Sequence, residues 1–119
     1  MSTSLYERLG GGEKIRAIAS GVVDLHMSNP AIMTRFLKID PENLKRLAAE
    51  FFSHKTGGPE IYTGRDIRSA HEGLNVSEAE FLAAVDDILE ALNKYEIGKG
   101  EMSEVLTILY GMKGEIIHV

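Results

Sequence analysis

The chain contains no cysteine and no tryptophan, and its basic residues are outnumbered by its acidic ones. Without cysteine it has no disulfide, no thiolate metal ligand and no cysteine nucleophile. Lysine and arginine number 13 against 18 aspartates and glutamates, a net charge of −5. This balance argues against a nucleic-acid-binding protein, which needs a basic surface. The run of about 18 apolar residues that a membrane-spanning helix requires is also missing, so we expect neither nucleic acid nor membrane as a partner.

The length and the apolar content are typical of one small globular domain. With 119 residues, 44% of them hydrophobic, the chain is long enough for a single modest core, so we predict one domain over residues 1–119. The opening stretch MSTSLYERLGGG lacks the apolar centre of a signal peptide. We therefore expect a protein that is not exported and is located in the cytoplasm.

Apolar residues recur every three or four positions along most of the chain, which is the spacing of an amphipathic helix. A first stripe of this kind lies within residues 12–29. A second helix is predicted to begin at Asp40 and Pro41, because a carboxylate caps free backbone N–H groups and proline fits the first helical turn. The breaker residues at 56–59 end this helix.

The second half of the chain continues the pattern. Residues 65–72 predict one or two turns of helix. Ser77 and Glu80 have the spacing of a capping box, which opens a longer helix. Chain breaks are predicted at Gly98 and Gly100, and a last apolar stripe follows them. Since no alternation typical of strands occurs, we predict an all-α fold with about five main helices.

The familiar sequence motifs of active sites are missing. No Gly-x-Gly-x-x-Gly, phosphate-loop or His-Glu-x-x-His pattern occurs. The histidines are too scattered to indicate a zinc cluster: His26, His54, His71 and His118. The carboxylates at 86 and 87, and those at 101 and 104, lie on predicted helices, and we interpret them as solvated faces rather than catalytic pairs.

His71 ends the segment GGPEIYTGRDIRSAH, and Ile67 lies one helical turn before it on the same face. Apolar residues occur on both sides of this segment, with Phe36, Leu44, Leu47 and Phe51 before it and Leu74, Val76 and Phe81 after it. One histidine beside a large apolar slot suits haem, because the iron takes an axial imidazole and the ring needs hydrophobic walls. A structural histidine in an ordinary core is the alternative.

Four stretches, taken in order, resemble a truncated haemoglobin and are most similar to the group I branch. SLYERLGGGEKIRA has the first glycine pair, RFLKIDPENLKR places Phe36 at the phenylalanine that packs on haem, and FFSHKTGGPEIYTGRDIRSAH has the second glycine pair. HEGLNVSEAEFLAAVDDILEAL continues the pattern, so the resemblance covers nearly the whole chain. It implies a two-over-two helical sandwich around non-covalent haem b, with His71 as the proximal iron ligand.

The resemblance also implies a set of haem contacts. One wall comprises Phe36, Leu44, Leu47 and Phe51, and the other comprises Ile67, Val76, Phe81 and Val85. Tyr62, with Arg65 or Arg68, is the expected partner of the propionates, and the alternative is that these arginines are simply exposed to water. Phe51 and Phe52 lie where a gas tunnel would run, or they belong to an ordinary core.

The expected distal pocket departs from the group I pattern because it lacks polar side chains. Val23 replaces the usual tyrosine, Leu44 and Ala48 replace glutamines, and Leu47 replaces a lysine or histidine; Phe52 completes the pocket. O₂ gains about 1.5–3 kcal/mol from a charge-assisted hydrogen bond. Fast O₂ release is therefore expected, whereas CO and NO depend less on such a donor.

These features favour a carrier or scavenger of O₂, NO or CO, with an unidentified reductase as a further candidate partner. The alternatives are an NO dioxygenase or weak peroxidase, which the missing donors disfavour, and a gas sensor. His26, one turn after Val23, and His54, two turns after Leu47, are expected to be unable to reach the iron. Ferrous haem is then five-coordinate.

Overall fold

Six α-helices and two short 3₁₀-helices make up the described part of the chain, residues 3–119 of a computed structural model. The α-helices are α1 (Leu5–Arg8), α2 (Gly11–Ser28), α3 (Pro41–Lys55), α4 (Ile67–His71), α5 (Glu78–Lys94) and α6 (Lys99–Gly111). The 3₁₀-helices span Met33–Phe36 and Lys113–Glu115. No β-strand occurs within residues 3–119, where the one β-type contact is an isolated bridge between Val76 and Ile117. The predicted all-α class is confirmed.

The two helix starts predicted from capping patterns are both present. At α3, the Asp40 carboxylate accepts a hydrogen bond from the Glu42 backbone N–H at 3.2 Å, and Pro41 is the first helical residue. At α5, the Ser77 hydroxyl accepts from the Glu80 N–H at 3.1 Å, and the Glu80 carboxylate accepts from the Ser77 N–H at 3.0 Å. Each bond satisfies a backbone donor that the first helical turn leaves free.

Two predicted boundaries are wrong in detail. Gly100 does not break the chain, because it lies in the first turn of α6, which Gly98 precedes as the N-cap. A glycine is tolerated there since the first N–H groups of a helix need no intrahelical acceptor. The last helix also ends earlier than the apolar stripe predicts, at Gly111, and Ile116 follows the second 3₁₀-helix.

Helix α2 is central to the packing, because it contacts both α3 and α5. Its buried face carries five apolar residues: Ile15, Ile18, Ala19, Val22 and Val23. The facing side of α5 buries Phe81, Val85, Ile88, Ala91 and Leu92. Within each stripe the buried residues recur every three or four positions, which is the helical periodicity seen in the sequence. Within residues 3–119, no helix is both long and apolar enough to cross a membrane.

The carboxylates interpreted as solvated faces divide into two groups. Asp86 and Glu104 are exposed, and Glu104 pairs with Arg8, so that α1 and α6 are linked at the surface. Asp87 is buried, with 8% of its surface exposed, and the interpretation is wrong there. Its helical neighbours Ala84 and Ala91 lie three before and four after it on the face turned toward the core.

Arg35, in the first 3₁₀-helix, joins this segment to the start of α5. Its Nε and Nη2 donate to the two carboxylate oxygens of Glu80 at 2.5 and 2.9 Å, and its Nη1 donates to the Leu74 carbonyl at 2.8 Å. This two-pronged bond, aided by the Ser77 N–H, lowers the pKa of Glu80 from its ordinary 4.5 to about 2. The ionised carboxylate is therefore bound more favourably in the folded chain than in the unfolded one.

Replacing Glu80 by Gln should lower the free energy of unfolding by about 1–3 kcal/mol at neutral pH, since a charge-assisted bond is lost. A depressed carboxylate pKa stabilises the fold above the unfolded pKa and loses this effect as the pH falls. The difference from wild type should therefore shrink between pH 4.5 and about 2. Urea unfolding at several pH values measures it.

Glu78→Gln is the matched control, because Glu78 lies on the same helix and makes an exposed pair with Lys113 at 2.9 Å. Its loss should cost much less, because exposed ion pairs contribute little to stability. A destabilisation of Glu80→Gln that stays constant over the acidic range would contradict the assigned role of the Glu80 charge.

Candidate functional site

A cavity of about 470 Å³ lies among α2, α3, α4, α5, α6 and the first 3₁₀-helix, and most of its lining is apolar. This volume is within the range of roughly 300–1,000 Å³ that is typical of small-molecule and cofactor sites. A second cavity, of about 420 Å³ between α2 and α3, is bordered by several charged side chains, among them Arg16, Lys45 and Arg46. The apolar cavity is the one that contains the residues singled out by the sequence.

The fold brings nearly all of the predicted site residues to this one cavity. They are Val23, Phe36, Leu44, Leu47, Ala48, Phe51, Phe52, Tyr62, Ile67, His71, Val76, Phe81 and Val85. Arg68 is the exception, since it is exposed and does not line the cavity, whereas Arg65 does. The reason is helical geometry: Arg68 directly follows Ile67, which lines the cavity, and successive residues of a helix point in different directions.

His71, the last residue of α4, is half-buried and lines the cavity. Its Nδ1 lies 2.8 Å from the backbone carbonyl oxygen of Ile67. A carbonyl oxygen only accepts hydrogen bonds, so Nδ1 carries the proton and Nε2 of the neutral ring carries a lone pair. Within residues 3–119, no buried side-chain nitrogen or oxygen lacks a hydrogen-bond partner. Nε2, which makes no such bond, is therefore accessible.

The loop after α4 is held by residues 117–119. The backbone N–H groups of Gly73 and Asn75 donate to the Val119 carbonyl at 3.1 and 3.3 Å, and the His118 N–H donates to the Val76 carbonyl at 3.0 Å. Gly73 adopts a φ of 84°, which residues with a side chain rarely adopt. This turn is what allows the chain to leave α4 and meet the bonded segment.

Tyr62 closes one side of the cavity. Its ring packs edge-on against Phe51, with ring centroids 5.4 Å apart, and its hydroxyl donates to the Arg65 carbonyl at 2.6 Å. Burial raises the pKa of Tyr62, so the hydroxyl keeps its proton and acts as a donor. The tyrosine thus fixes the backbone that brings Arg65 to the cavity.

His26 also lines the cavity, and the sequence prediction of the distal wall did not include it. Its ring stacks on Phe36, with centroids 5.8 Å apart and planes 24° from parallel. Its Nδ1 lies 2.8 Å from Oδ2 of the buried Asp87. The α2 side of the cavity therefore has one polar side chain beside the apolar Val23.

The buried Asp87 could have been found from the sequence by its place in the helical repeat. It lies between Val85 and Ile88 and one turn before Ala91, within the apolar stripe of α5. A carboxylate on such a stripe is buried, and buried carboxylates require partners. The partners themselves, His26 and Asn29, belong to α2 and to the loop after it, and local spacing does not identify them.

The family model for bacterial-like globins matches residues 4–118. Group 1 truncated hemoglobin LI410 of Chlamydomonas moewusii is 23% identical over 118 residues, which cover 98% of this chain and 69% of that protein. Group 1 truncated hemoglobin GlbN of Mycolicibacterium paratuberculosis is 25% identical over 113 residues, which cover 95% of this chain and 83% of that protein.

Solved structures define the fold. The Fe(III) form of truncated hemoglobin from Tetrahymena pyriformis superposes with a TM-score of 0.94 at 19% identity, covering 98% of this chain and 100% of that one. The group II truncated hemoglobin from Bacillus anthracis gives a TM-score of 0.88 at 15% identity, covering 100% and 94%. The truncated-haemoglobin fold implied by the resemblance is confirmed.

Gly73→Ala should destabilise the protein by about 1–2 kcal/mol, because an L-residue is strained in the left-handed region. No atom lies within 4 Å of a Cβ at this position, so the cost comes from the backbone alone. Gly100→Ala in α6 is the matched control, since it has equal space and a helical backbone. It should be neutral or stabilising by up to about 1 kcal/mol. Equal effects of the two changes on urea unfolding would refute this account of the turn after α4.

Proposed function

The chain belongs to the bacterial-like globin family, and from this premise we propose that its apolar cavity holds haem b non-covalently, with His71 as the proximal ligand of the iron. Membership of the family implies a haem cofactor and gas binding in general. The observation that carries the assignment of His71 is the 2.8 Å bond between its Nδ1 and the Ile67 carbonyl. Metal-binding histidines commonly have the other ring nitrogen held in this way.

The residues of the cavity fit a haem. Its lining is mostly apolar, as the porphyrin face requires, and it includes the aromatic rings of Phe36, Phe51 and Phe81. Arg65 lines the cavity and Arg68 does not, so we assign the propionates to Tyr62 and Arg65 rather than to Arg68. When bound, the haem iron supplies one coordination position to a small gas molecule.

The other three histidines support a single protein ligand. His118 is exposed, does not line the cavity, and its Nδ1 lies 2.9 Å from Oδ1 of Asn75. His54 is exposed on α3 and does not line the cavity. His26 lines it, but its ring is tied to Asp87 through Nδ1 and stacked on Phe36. Moving it to the iron would break both contacts. We therefore propose five-coordinate ferrous haem with His71 alone.

The physiological role that we propose is a carrier or scavenger of diatomic gases. Val23, Leu44, Leu47 and Ala48 line the cavity without a hydrogen-bond donor among them. O₂ becomes partly negative on binding and gains from a donor, whereas CO and NO gain little. An NO dioxygenase must retain O₂ until NO arrives, and this pocket does not favour such retention. Phe51 and Phe52, in contact at 6.2 Å between ring centroids, are the residues that we assign to a gas route.

His71→Ala should abolish stable haem uptake, because the iron loses the imidazole that Ile67 holds in place. The intensity of the Soret band and the rate of haem transfer to apomyoglobin measure this. His54→Ala is the control, since His54 is exposed on α3 outside the cavity, and it should keep the wild-type spectrum. An unchanged Soret band and an unchanged transfer rate in His71→Ala would rule out His71 as the iron ligand.

Leu44→Gln should slow O₂ dissociation from the ferrous protein by about ten- to a hundredfold, because the amide supplies a hydrogen-bond donor worth about 1.5–3 kcal/mol. Leu44→Met is the matched control, since methionine has a similar length and no donor. Stopped-flow absorbance measures both rates, and CO dissociation should change little in either variant. O₂ dissociation that is as fast in Leu44→Gln as in Leu44→Met would contradict the proposed position of Leu44 beside the gas.

A further inference from the structure

The polar pair His26 and Asp87 is an arrangement that gas binding does not require. Asp87 accepts hydrogen bonds from His26 Nδ1 at 2.8 Å and from Asn29 Nδ2 at 3.1 and 3.2 Å, so both of its oxygens are engaged. Asn29 is itself oriented, because its Oδ1 accepts from the Ala31 backbone N–H at 3.0 Å. The Asp87 carboxylate accepts in each of these bonds. The proton of the bond to His26 therefore lies on Nδ1 of the imidazole.

Nε2, the other ring nitrogen of His26, is not fully buried. With the proton on Nδ1, the uncharged form of the ring has its lone pair on Nε2. Nε2 makes no hydrogen bond, and no buried side-chain nitrogen or oxygen in residues 3–119 lacks a partner, so this atom is accessible. His26 lines the apolar cavity and only 14% of its side-chain surface is exposed. The geometry is therefore that of a carboxylate-oriented imidazole base in an apolar surrounding.

We propose that His26, positioned by Asp87, is a base that removes the proton from small protic ligands as they enter the cavity. The ligand class is a weak acid H–X, such as hydrogen cyanide or hydrogen sulfide. The H–X bond breaks, the proton goes to Nε2 of His26, and the electron pair remains on X as the anion. The imidazolium formed is paired with the Asp87 carboxylate, and the proton returns to X when the ligand leaves.

The chemical reason for this base is the apolar wall around it. Val23 and Phe36, which line the same cavity, solvate an anion poorly. A weak acid therefore enters as the neutral molecule, and it would lose its proton inside because the bound haem iron would accept the anion formed. CO has no proton to lose, so its entry does not involve His26. Asp87 acts through His26 and does not line the cavity, which makes it a positioning residue.

The proposal rests on the proposed haem site, and the experiment uses the haem-loaded ferric protein with cyanide as the probe at neutral pH. Stopped-flow absorbance gives the association rate. His26→Leu should slow it by about a hundredfold or more, the usual contribution of a general base. Asp87→Asn should slow it by a comparable factor, because the proton then lies on Nε2 and the lone pair of the base is lost. Absence of a Soret band in wild type would refute the haem site itself and not the role of His26 alone.

A spectroscopic readout separates proton transfer from a structural effect. In the ferrous CO form, ¹H–¹⁵N NMR of the imidazoles should show the His26 proton on Nδ1 in wild type. In Asp87→Asn it should move to Nε2, because the new amide N–H donates to Nδ1. A wild-type signal with the proton on Nε2 would overturn the proposal even if His26→Leu failed to fold.

The controls isolate the protic step. His54→Leu, an exposed histidine of α3 that does not line the cavity, should bind cyanide at the wild-type rate. CO association with the ferrous protein should be unchanged in His26→Leu and Asp87→Asn. Equal cyanide rates in wild type and a haem-loaded His26→Leu would refute the assignment, and an equal slowing of CO and cyanide would identify a purely steric effect, which also refutes it.

Discussion

The hydrogen bond from His71 Nδ1 to the Ile67 carbonyl is the interaction on which the functional site depends. It joins two residues of a helix only five residues long, Ile67–His71. A helix this short is not stable by itself, so the orientation of the imidazole must be secured by the surrounding chain. Asp66 caps the start of the helix through the Ser69 N–H, and beyond its end residues 117–119 bind the following loop. The imidazole is thus oriented by bonds on both sides of α4.

An interior cavity also changes how the rest of the molecule is held together. A protein interior normally gains stability from close packing, but about 470 Å³ beside α2 and α5 is left for another molecule. Two hydrogen-bonded pairs of polar side chains beside the cavity compensate for the lost packing. Arg35 binds Glu80 at the first turn of α5, and His26 binds Asp87 further along the same helix. One connects α5 to the 3₁₀-helix after α2 and the other connects α5 to α2 itself, so the walls are fixed by directional bonds where apolar contact is incomplete.

Local sequence patterns were sufficient for the helices and insufficient for these links. The caps at Asp40 and Ser77 involve residues two or three positions apart, and such spacing can be recognised in a sequence. The Arg35–Glu80 bond spans 45 positions and the His26–Asp87 bond spans 61. No local rule pairs residues at such separations, which explains why Asp87 was interpreted as solvated although its place in the apolar stripe indicated burial.

The same distinction applies to the candidate site. The apolar residues and His71 were found because a resemblance aligns them position by position, and all of them lie on one cavity, but the resemblance gave no reason to select His26. A distal wall without hydrogen-bond donors and the proposed base His26 beside it have different chemical consequences. The wall weakens the preference for O₂ over CO, because neither gas is given a hydrogen bond. The base acts only on ligands that carry a proton, since Nε2 is an acceptor while Asp87 holds the proton on Nδ1. On the proposed function, an apolar cavity with one oriented acceptor would therefore separate small ligands by acidity rather than by polarity, and size and charge alone do not predict that separation.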